Sequence, residues 1–161
     1  MALSDATMKV SLKRQKSADY EFDLSASLEL GFLQTTHLNI KKLYEHALVP
    51  RRNNCKSAGY ELFTPHDALL KPQECTRIDL DIAIQFPENC YGRICGFNQL
   101  AFDHRIVCEE AVIDNSLNRS VSIFLYNRNN IKYKFFRGDR VAQLIVESYN
   151  TPTVQLVKEF K

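Results

Sequence analysis

Asp114 is the residue best placed for acid–base chemistry. It follows Val112 and Ile113, whose apolar side chains predict a stiff strand that can hold a carboxylate at its end. A carboxylate fixed in this way can orient a water molecule and take its proton. The pair Asp114 and Asn115 also favours a simple turn, because both side chains readily bond to their own backbone. The residue types alone favour the turn over the acid–base role.

Asp114 lies in one of four short segments that stand apart from ordinary strand and turn material. In chain order they read Ser-Ala-Gly-Tyr-Glu-Leu (57–62), Cys-Tyr-Gly-Arg (90–93), Ala-Val-Ile-Asp-Asn (111–115) and Gly-Asp-Arg-Val-Ala-Gln-Leu-Ile (138–145). At these spacings they resemble the motifs of the trimeric dUTP diphosphatases, the dUTPases, and the match runs from about Leu38 to Val157. The strings are jointly far more specific than any one of them.

The resemblance implies in-line attack of water on a phosphoryl group, with dUTP and dUMP as ligands. Asp114 corresponds to the family's water-activating aspartate, and Mg²⁺ is the expected cofactor of an active member. Asn98 and Gln143 correspond to phosphate-contacting positions, and Ile113 and Leu117 to nucleotide-contacting ones. The resemblance also implies a jelly-roll subunit in a homotrimer, with active sites at the subunit interfaces.

The first two motifs depart from the family pattern. Glu61 stands where the family carries an aspartate associated with Mg²⁺, and its extra methylene makes it a weak metal ligand or an ordinary strand acid. Phe97, Asn98 and Gln99 replace an Arg-Ser-Gly string. Losing that arginine removes a charge-assisted contact worth about 1.5–3 kcal/mol, and Gln99 obstructs the close backbone approach that glycine allows.

The later motifs depart as well. Leu117 replaces a tyrosine that packs under the sugar, so nucleotide selectivity should be poorer. Arg119 stands in place of a glycine, in a chain with only five glycines. Asp139 and Arg140 are expected to form an ion pair that fixes the last hairpin. The glycine-rich fifth motif, which would close over the triphosphate, is absent after Val157.

These departures favour a catalytically impaired member of the fold, retained as a binding or regulatory module with a protein partner that the residues do not identify. The alternative is an active dUTP diphosphatase that hydrolyses dUTP to dUMP and diphosphate, with Mg²⁺ and with Asp114 as general base. A third interpretation is a mixed trimer, in which a full-length paralogue supplies the lid.

The elements that position these segments are predicted from an alternation of apolar and polar residues. The clearest case is the run Ile78, Leu80, Ile82, Ile84 and Phe86, which predicts one long strand with a wet face. Shorter strands are predicted over 28–32, 121–126, 131–136 and 141–146, with turns at about every tenth residue. The pattern is typical of an all-β sandwich, jelly roll or barrel, and the resemblance implies a dUTPase-like jelly roll or distorted β-barrel. The one helix candidate is 42–48, which ends before Pro50.

Composition limits the organisation and the partners. Residues 1–24 lack a sustained apolar period and predict a loosely attached arm, followed by one β domain over 25–161. The net charge of +2 gives no support to nucleic acid as a partner. No apolar run approaches the roughly 20 residues that span a bilayer, so no membrane partner is expected.

Cysteine usage bears on metal binding and compartment. The five cysteines are odd in number and form no C-x-x-C pair, which favours reduced thiols and an intracellular protein. Cys90 and Cys95 are more typical of structural residues than of metal ligands. The basic cluster Lys13, Arg14 and Lys16 leaves a nuclear signal open, so the predicted location is cytoplasmic, nuclear or both.

Overall fold

The computed structural model describes residues 37–117 and 119–160, so the predicted arm over 1–24 and the predicted strand over 28–32 lie outside the described residues. The described residues form eleven short strands and one helix. In chain order these are β1 Asn39–Lys42, β2 Tyr60–Phe63, β3 Ala68–Leu70, β4 Cys75–Asp79, β5 Ile82–Gln85, β6 Cys90–Cys95, α1 Asn98–His104, β7 Ile106–Cys108, β8 Ala111–Ile113, β9 Ser122–Asn127, β10 Tyr133–Phe135 and β11 Arg140–Ser148.

All strand pairs are antiparallel. The largest sheet has the order β2-β11-β6-β8, a second has the order β4-β9-β7, and β1-β5 and β3-β10 form two-stranded sheets. The predicted all-β class is therefore confirmed. In the part of the chain that the structure describes, no sheet closes into a barrel.

Alternating burial builds the core, as the period of two predicts. In β9 the side chains of Ile123 and Leu125 are buried, whereas Phe124 between them is exposed. Facing strands supply the other large buried side chains, which include Leu62, Leu70, Ile94, Ile106, Phe135 and Leu144. The apolar faces of separate sheets thus meet in one cluster, which gives the ends of β6, β8 and β11 a rigid base.

The prediction of one long strand over 78–86 is wrong in one respect, because the segment forms two strands. β4 ends at Asp79 and β5 begins at Ile82, and Asp81 between them has a left-handed backbone with a φ of 57°. β4 pairs with β9, whereas β5 pairs with β1, so the chain changes sheet at this point. The five alternating apolar residues are nevertheless all buried, which is why the pattern looked continuous.

The helix predicted over 42–48 is also wrong. β1 extends to Lys42, and a turn follows in which the Leu43 N–H donates to the Asp81 carbonyl at 2.9 Å. Pairing with β5 thus determines the conformation of this segment. The single described helix is α1, which ends where Arg105 takes a left-handed backbone. No described helix has the length and apolar character needed to cross a membrane.

Candidate active site

Asp114 comes directly after β8, and its carboxylate is exposed. Its Oδ1 accepts hydrogen bonds from the Ser116 hydroxyl at 2.5 Å and from the Ser116 backbone N–H at 2.9 Å. These two donors, the hydroxyl first, lower the pKa of Asp114 below its ordinary value of 3.8. The carboxylate is therefore ionised at neutral pH. Asp114 also begins a turn, as the other interpretation predicts, because the Leu117 N–H donates to the Asp114 carbonyl at 3.1 Å.

Asn115 fastens the Asp114 loop to the chain just after β5. Its Oδ1 accepts from the Phe86 backbone N–H at 2.7 Å, and its Nδ2 donates to the Phe86 carbonyl at 3.1 Å. A side-chain amide can satisfy both groups of one residue because it carries a donor and an acceptor side by side. The sequence indicated only a turn former at this position, whereas the structure makes Asn115 a positioning residue for Asp114.

The residues next to Asp114 differ in their exposure to solvent. The Ile113 side chain is buried in the core, with 8% of its surface exposed. Leu117 is half-buried and packs against the core from outside. Together with Asn115 it lines a cleft of about 530 Å³ along β1 and β5. An apolar ligand surface can therefore reach the side chain of Leu117, while Ile113 supports the strand from beneath.

A second cleft, of about 330 Å³, lies beside α1 and contains Asn98, Gln99 and Phe97. Arg140 lines the same cleft, with its guanidinium carbon 5.3 Å from the centre of the Phe97 ring. The distance is that of a cation–π contact. A cation therefore lies next to Phe97, although Phe97 itself replaces the arginine of the motif. Sequence reasoning assigned Arg140 only to the hairpin, and no local signal placed it against α1.

Arg140 pairs with Glu61 and not with Asp139. Its Nη1 donates to the Glu61 Oε1 at 2.8 Å, and the Glu61 side chain is only 11% exposed. Asp139 instead accepts from the Phe136 backbone N–H at 2.7 Å and closes the turn around Gly138. The ion pair expected between Asp139 and Arg140 is therefore replaced by one that joins β11 to β2.

Gln143 lies on β11 between two paired strands, opposite Glu61 on β2 and Cys95 on β6. Its Nε2 donates to the Gly96 carbonyl at 3.4 Å, which holds the amide at the edge of a cleft that also contains Asn98. Gly59 makes this possible, because a Cβ there would lie 2.7 Å from the Ile145 side chain and 3.1 Å from the Gln143 Oε1. Asn98 and Gln143 are thus brought together.

The family model for dUTPase matches residues 45–161. The chain belongs to the dUTPase family.

Curated relatives agree with this assignment. The deoxyuridine 5'-triphosphate nucleotidohydrolase of Mus musculus is 36% identical over 135 residues, which cover 84% of this chain and 83% of the mouse protein. The mitochondrial enzyme of Homo sapiens is 35% identical over 130 residues, 81% of this chain and 50% of its own length. The enzyme of Yaba monkey tumor virus is 34% identical over 108 residues, which cover 67% of this chain and 76% of the viral protein.

Solved dUTPase structures share the fold. A point mutant of the dUTPase from phage 80alpha has a TM-score of 0.74 at 25% identity, covering 79% of this chain and 92% of the phage chain. A point mutant of the dUTPase from phage phi11 of S. aureus has a TM-score of 0.73 at 26% identity, covering 78% of this chain and 99% of that one. The predicted dUTPase-like jelly roll is confirmed by these matches.

Within one dUTPase chain the two groups of motif residues lie apart. Asp114 follows Ile113, which pairs with Gly92, whereas Gln143 pairs with Cys95. Gly92 and Cys95 are three residues apart on β6, and Asp114 lies one residue beyond the Gly92 pair, so Asp114 and Gln143 are separated by roughly 13 Å along the strand direction. Asn98 and Gln143 therefore form one group, and Asp114 and Leu117 form another.

The metal candidate Glu61 fits Mg²⁺ poorly as a direct ligand. The guanidinium of Arg140 already compensates its charge, and the side chain is almost fully enclosed. Mg²⁺ prefers a hydrated octahedral shell with one or two carboxylates and substrate phosphates, which a closed ion pair does not offer. The dUTPase of phage phi11 is described with a structural Mg(II) ion, in a protein of 26% identity. Glu61 is better described here as the anion that holds Arg140.

The thiols do not form a metal site among themselves. All five cysteines are unpaired, and Cys90 and Cys95 stand at opposite ends of β6, roughly 17 Å apart along the strand. Burial raises the pKa of Cys95 and raises that of Cys108 to about 12. These two thiols therefore stay protonated at neutral pH, in keeping with the structural interpretation.

Proposed function

We propose that this chain hydrolyses dUTP to dUMP and diphosphate, with Asp114 as the general base. The observation that carries the proposal is the Asp114 carboxylate, which is exposed, ionised and held by Ser116 at the end of a core-anchored strand. The curated relatives are named as nucleotidohydrolases of deoxyuridine triphosphate. Their similarity favours the active alternative over the impaired protein that the motif departures favoured.

The chemistry requires a water molecule in line with the bond between the α and β phosphates. Asp114 orients that water and takes its proton as the new oxygen–phosphorus bond forms on the α phosphorus, while the bond to the bridging oxygen breaks and diphosphate leaves. Mg²⁺, if supplied with the substrate, would take up negative charge on the phosphate oxygens. Asn98 and Gln143 donate amide hydrogens to phosphate oxygens, and Leu117 gives the nucleotide an apolar surface.

The complete site requires more than one copy of the chain. Asp114 lies roughly 13 Å along the strand direction from Gln143 of the same chain. That separation favours a site in which the base and the phosphate donors come from different copies of the chain. We infer a homotrimer in which Asp114 of one copy completes the cleft formed by Asn98 and Gln143 of another. Light scattering should give three times the chain mass of 18.6 kDa.

A specific observation also favours a second candidate, a nucleotide-binding or regulatory protein with little turnover. Phe97 supplies no donor where the family motif has arginine, and the cation beside it, Arg140, is engaged by Glu61 at 2.8 Å. Removing one preorganised donor costs about 100- to 1,000-fold in rate. The phage 80alpha dUTPase, which shares this fold, is described as controlling transfer of virulence genes.

The deciding experiment measures diphosphate release from dUTP with Mg²⁺. Asp114→Asn keeps the size of the side chain and removes the base, and Asp103→Asn on the exposed face of α1 is the matched control. Turnover that is lost in Asp114→Asn and kept in Asp103→Asn supports hydrolysis. Calorimetric binding of dUTP without turnover favours the regulatory candidate. Neither turnover nor binding overturns both.

A mixed assembly is tested separately. Activity that appears only when a full-length paralogue copurifies would support a mixed trimer in which Asp114 serves a neighbouring chain's cleft. A single-species trimer that is active by itself excludes that requirement.

A further inference from the structure

Three side chains outside the dUTP motifs converge on one point. The Nε2 of His46 lies 2.8 Å from the Oδ2 of Asp81, and the Nε2 of His66 lies 2.9 Å from the same oxygen. The three ligand-type atoms all lie within 4.8 Å of one another. Two imidazole nitrogens and one carboxylate oxygen therefore face a common centre.

The backbone of each of these residues is held by the fold. Asp81 occupies the left-handed link between β4 and β5, where its N–H donates to the Ser120 hydroxyl at 3.1 Å and its carbonyl accepts from Leu43 at 2.9 Å. Aspartate is one of the few residue types that tolerate this backbone conformation.

The two histidines are anchored through their carbonyls. The Thr64 hydroxyl donates to the His66 carbonyl at 2.6 Å, and the Arg137 guanidinium donates to the His46 carbonyl at 3.2 Å. The rings then meet with their centroids 4.6 Å apart. Three segments that are distant in sequence are thus preorganised around Asp81.

The exposure of the three groups suits an ion with an open coordination position. The Asp81 side chain is 12% exposed, whereas those of His46 and His66 are 43% and 55% exposed. The carboxylate thus forms the floor of the cluster, and the imidazoles form a rim through which a hydrated ion can approach. Three protein ligands with a water molecule in the fourth position is the arrangement of open zinc sites.

The donor set selects the class of metal. Imidazole nitrogen suits zinc and other divalent transition metals, whereas Mg²⁺ prefers oxygen ligands throughout. Bonds of about 2.0–2.2 Å in a tetrahedron place neighbouring ligand atoms about 3.3 Å apart. The two N–O distances of 2.8 and 2.9 Å would therefore open by about half an ångström, which rotation of the exposed rings can supply.

We propose that His46, His66 and Asp81 bind one divalent transition-metal ion, with Zn²⁺ as the representative ligand. The ion replaces the protons that otherwise join the two rings to the carboxylate, and it ties the turn after β1 and the loop after β2 to the β4–β5 link. This site is independent of Asp114 and of dUTP hydrolysis.

The test is a calorimetric titration of Zn²⁺ into the full chain, with His46→Gln and His66→Gln as test variants. His37→Gln is the matched control, because His37 is an exposed histidine outside the cluster. We expect one ion per chain, at least tenfold weaker binding in each test variant, and unchanged binding in the control. Zn²⁺ should also raise the melting temperature of the wild-type chain more than that of His66→Gln.

Thiols are the competing ligands, because Cys55 and Cys75 are exposed. A Co²⁺ spectrum distinguishes the two, since thiolate ligation gives an intense sulfur-to-cobalt band that imidazole and carboxylate do not. The absence of saturable Zn²⁺ binding overturns the proposal, as does binding that is equal in His66→Gln and wild type or that shows the sulfur band. In those cases the cluster is a hydrogen-bonded His–Asp–His group only. Asp81→Asn is a secondary variant, used only if circular dichroism shows that it folds.

Discussion

The two groups of motif residues differ in how they are built, although both adjoin strands of the largest sheet. The Asp114 group is held by local hydrogen bonds: the Asn115 side chain bonds both polar backbone groups of Phe86, and Ser116 donates to the Asp114 carboxylate through its hydroxyl and its backbone N–H. The Asn98 and Gln143 group is held by side-chain chemistry, in which Phe97, Arg140 and Glu61 stack and pair. The difference teaches that the proposed base is fixed by hydrogen bonds to backbone groups, whereas the proposed phosphate-binding side depends on side chains that differ from the family motif.

Removing the Asp114 carboxylate should have the largest effect on activity. Asp114→Asn should lower kcat by about 10²- to 10⁴-fold, because the general base is lost while the contacts to phosphate remain. The dissociation constant of dUTP, measured by calorimetry, should change little. Equal losses in kcat and in affinity would mean that Asp114 binds substrate and that the two groups are not functionally distinct.

Restoring a phosphate donor should give the next largest effect. Phe97→Arg adds a forked cationic donor worth about 1.5–3 kcal/mol, which corresponds to roughly 10- to 100-fold tighter dUTP binding. Phe102→Arg is the control, since Phe102 is an 84% exposed phenylalanine on the adjoining helix α1. Tighter dUTP binding by both variants would indicate a nonspecific charge effect. No change in Phe97→Arg would mean that Arg140 already supplies the contact.

Removing the hydrogen bonds of Asn115 to Phe86 should lower the stability of the chain and displace the Asp114 loop. Asn115→Ala leaves the Phe86 N–H and carbonyl without their partners and should lower the free energy of unfolding by about 1–3 kcal/mol. Asn115→Asp keeps an acceptor for the Phe86 N–H and should lose less. Urea unfolding measures both variants. An unchanged urea midpoint in Asn115→Ala would show that water replaces the side chain without loss of stability and that the Asn115 hydrogen bonds do not hold the loop.

The smallest effect concerns the charge state of Asp114. Its pKa is lowered in the folded chain, so the ionised base is present above that pKa and is lost as the pH falls through it. Ser116→Ala removes the hydroxyl that contributes most and should move the pKa, and any acid limb of the rate profile, toward higher pH. NMR titration of the Asp114 carboxyl carbon reports the shift, with Ser148→Ala as control. A pKa that stays in place would assign the lowering to the backbone N–H alone.

The sequence predicted the site residues unequally. The short strings around Gly59, Asp114 and Gln143 indicated the family because tight packing and turn geometry allow few substitutes there. The partner of Arg140 could not be predicted, since Asp139 is its neighbour in sequence, whereas Glu61 lies on the paired strand β2, two residues from the Phe63 that faces Arg140. Local reasoning favours the nearer carboxylate, whereas the strand register brings the other one within 2.8 Å.

The sequence by itself determined which side chains face the core and to which family the chain belongs. Alternation placed Ile78, Leu80, Ile82, Ile84 and Phe86 in the interior, and they are buried there, because burial depends on the local period of the strand. Only the tertiary structure decided the break at Asp81, the position of the single described helix and the meeting of His46, His66 and Asp81. Those features depend on which strands pair, and pairing joins residues tens of positions apart through hydrogen bonds that no local pattern encodes.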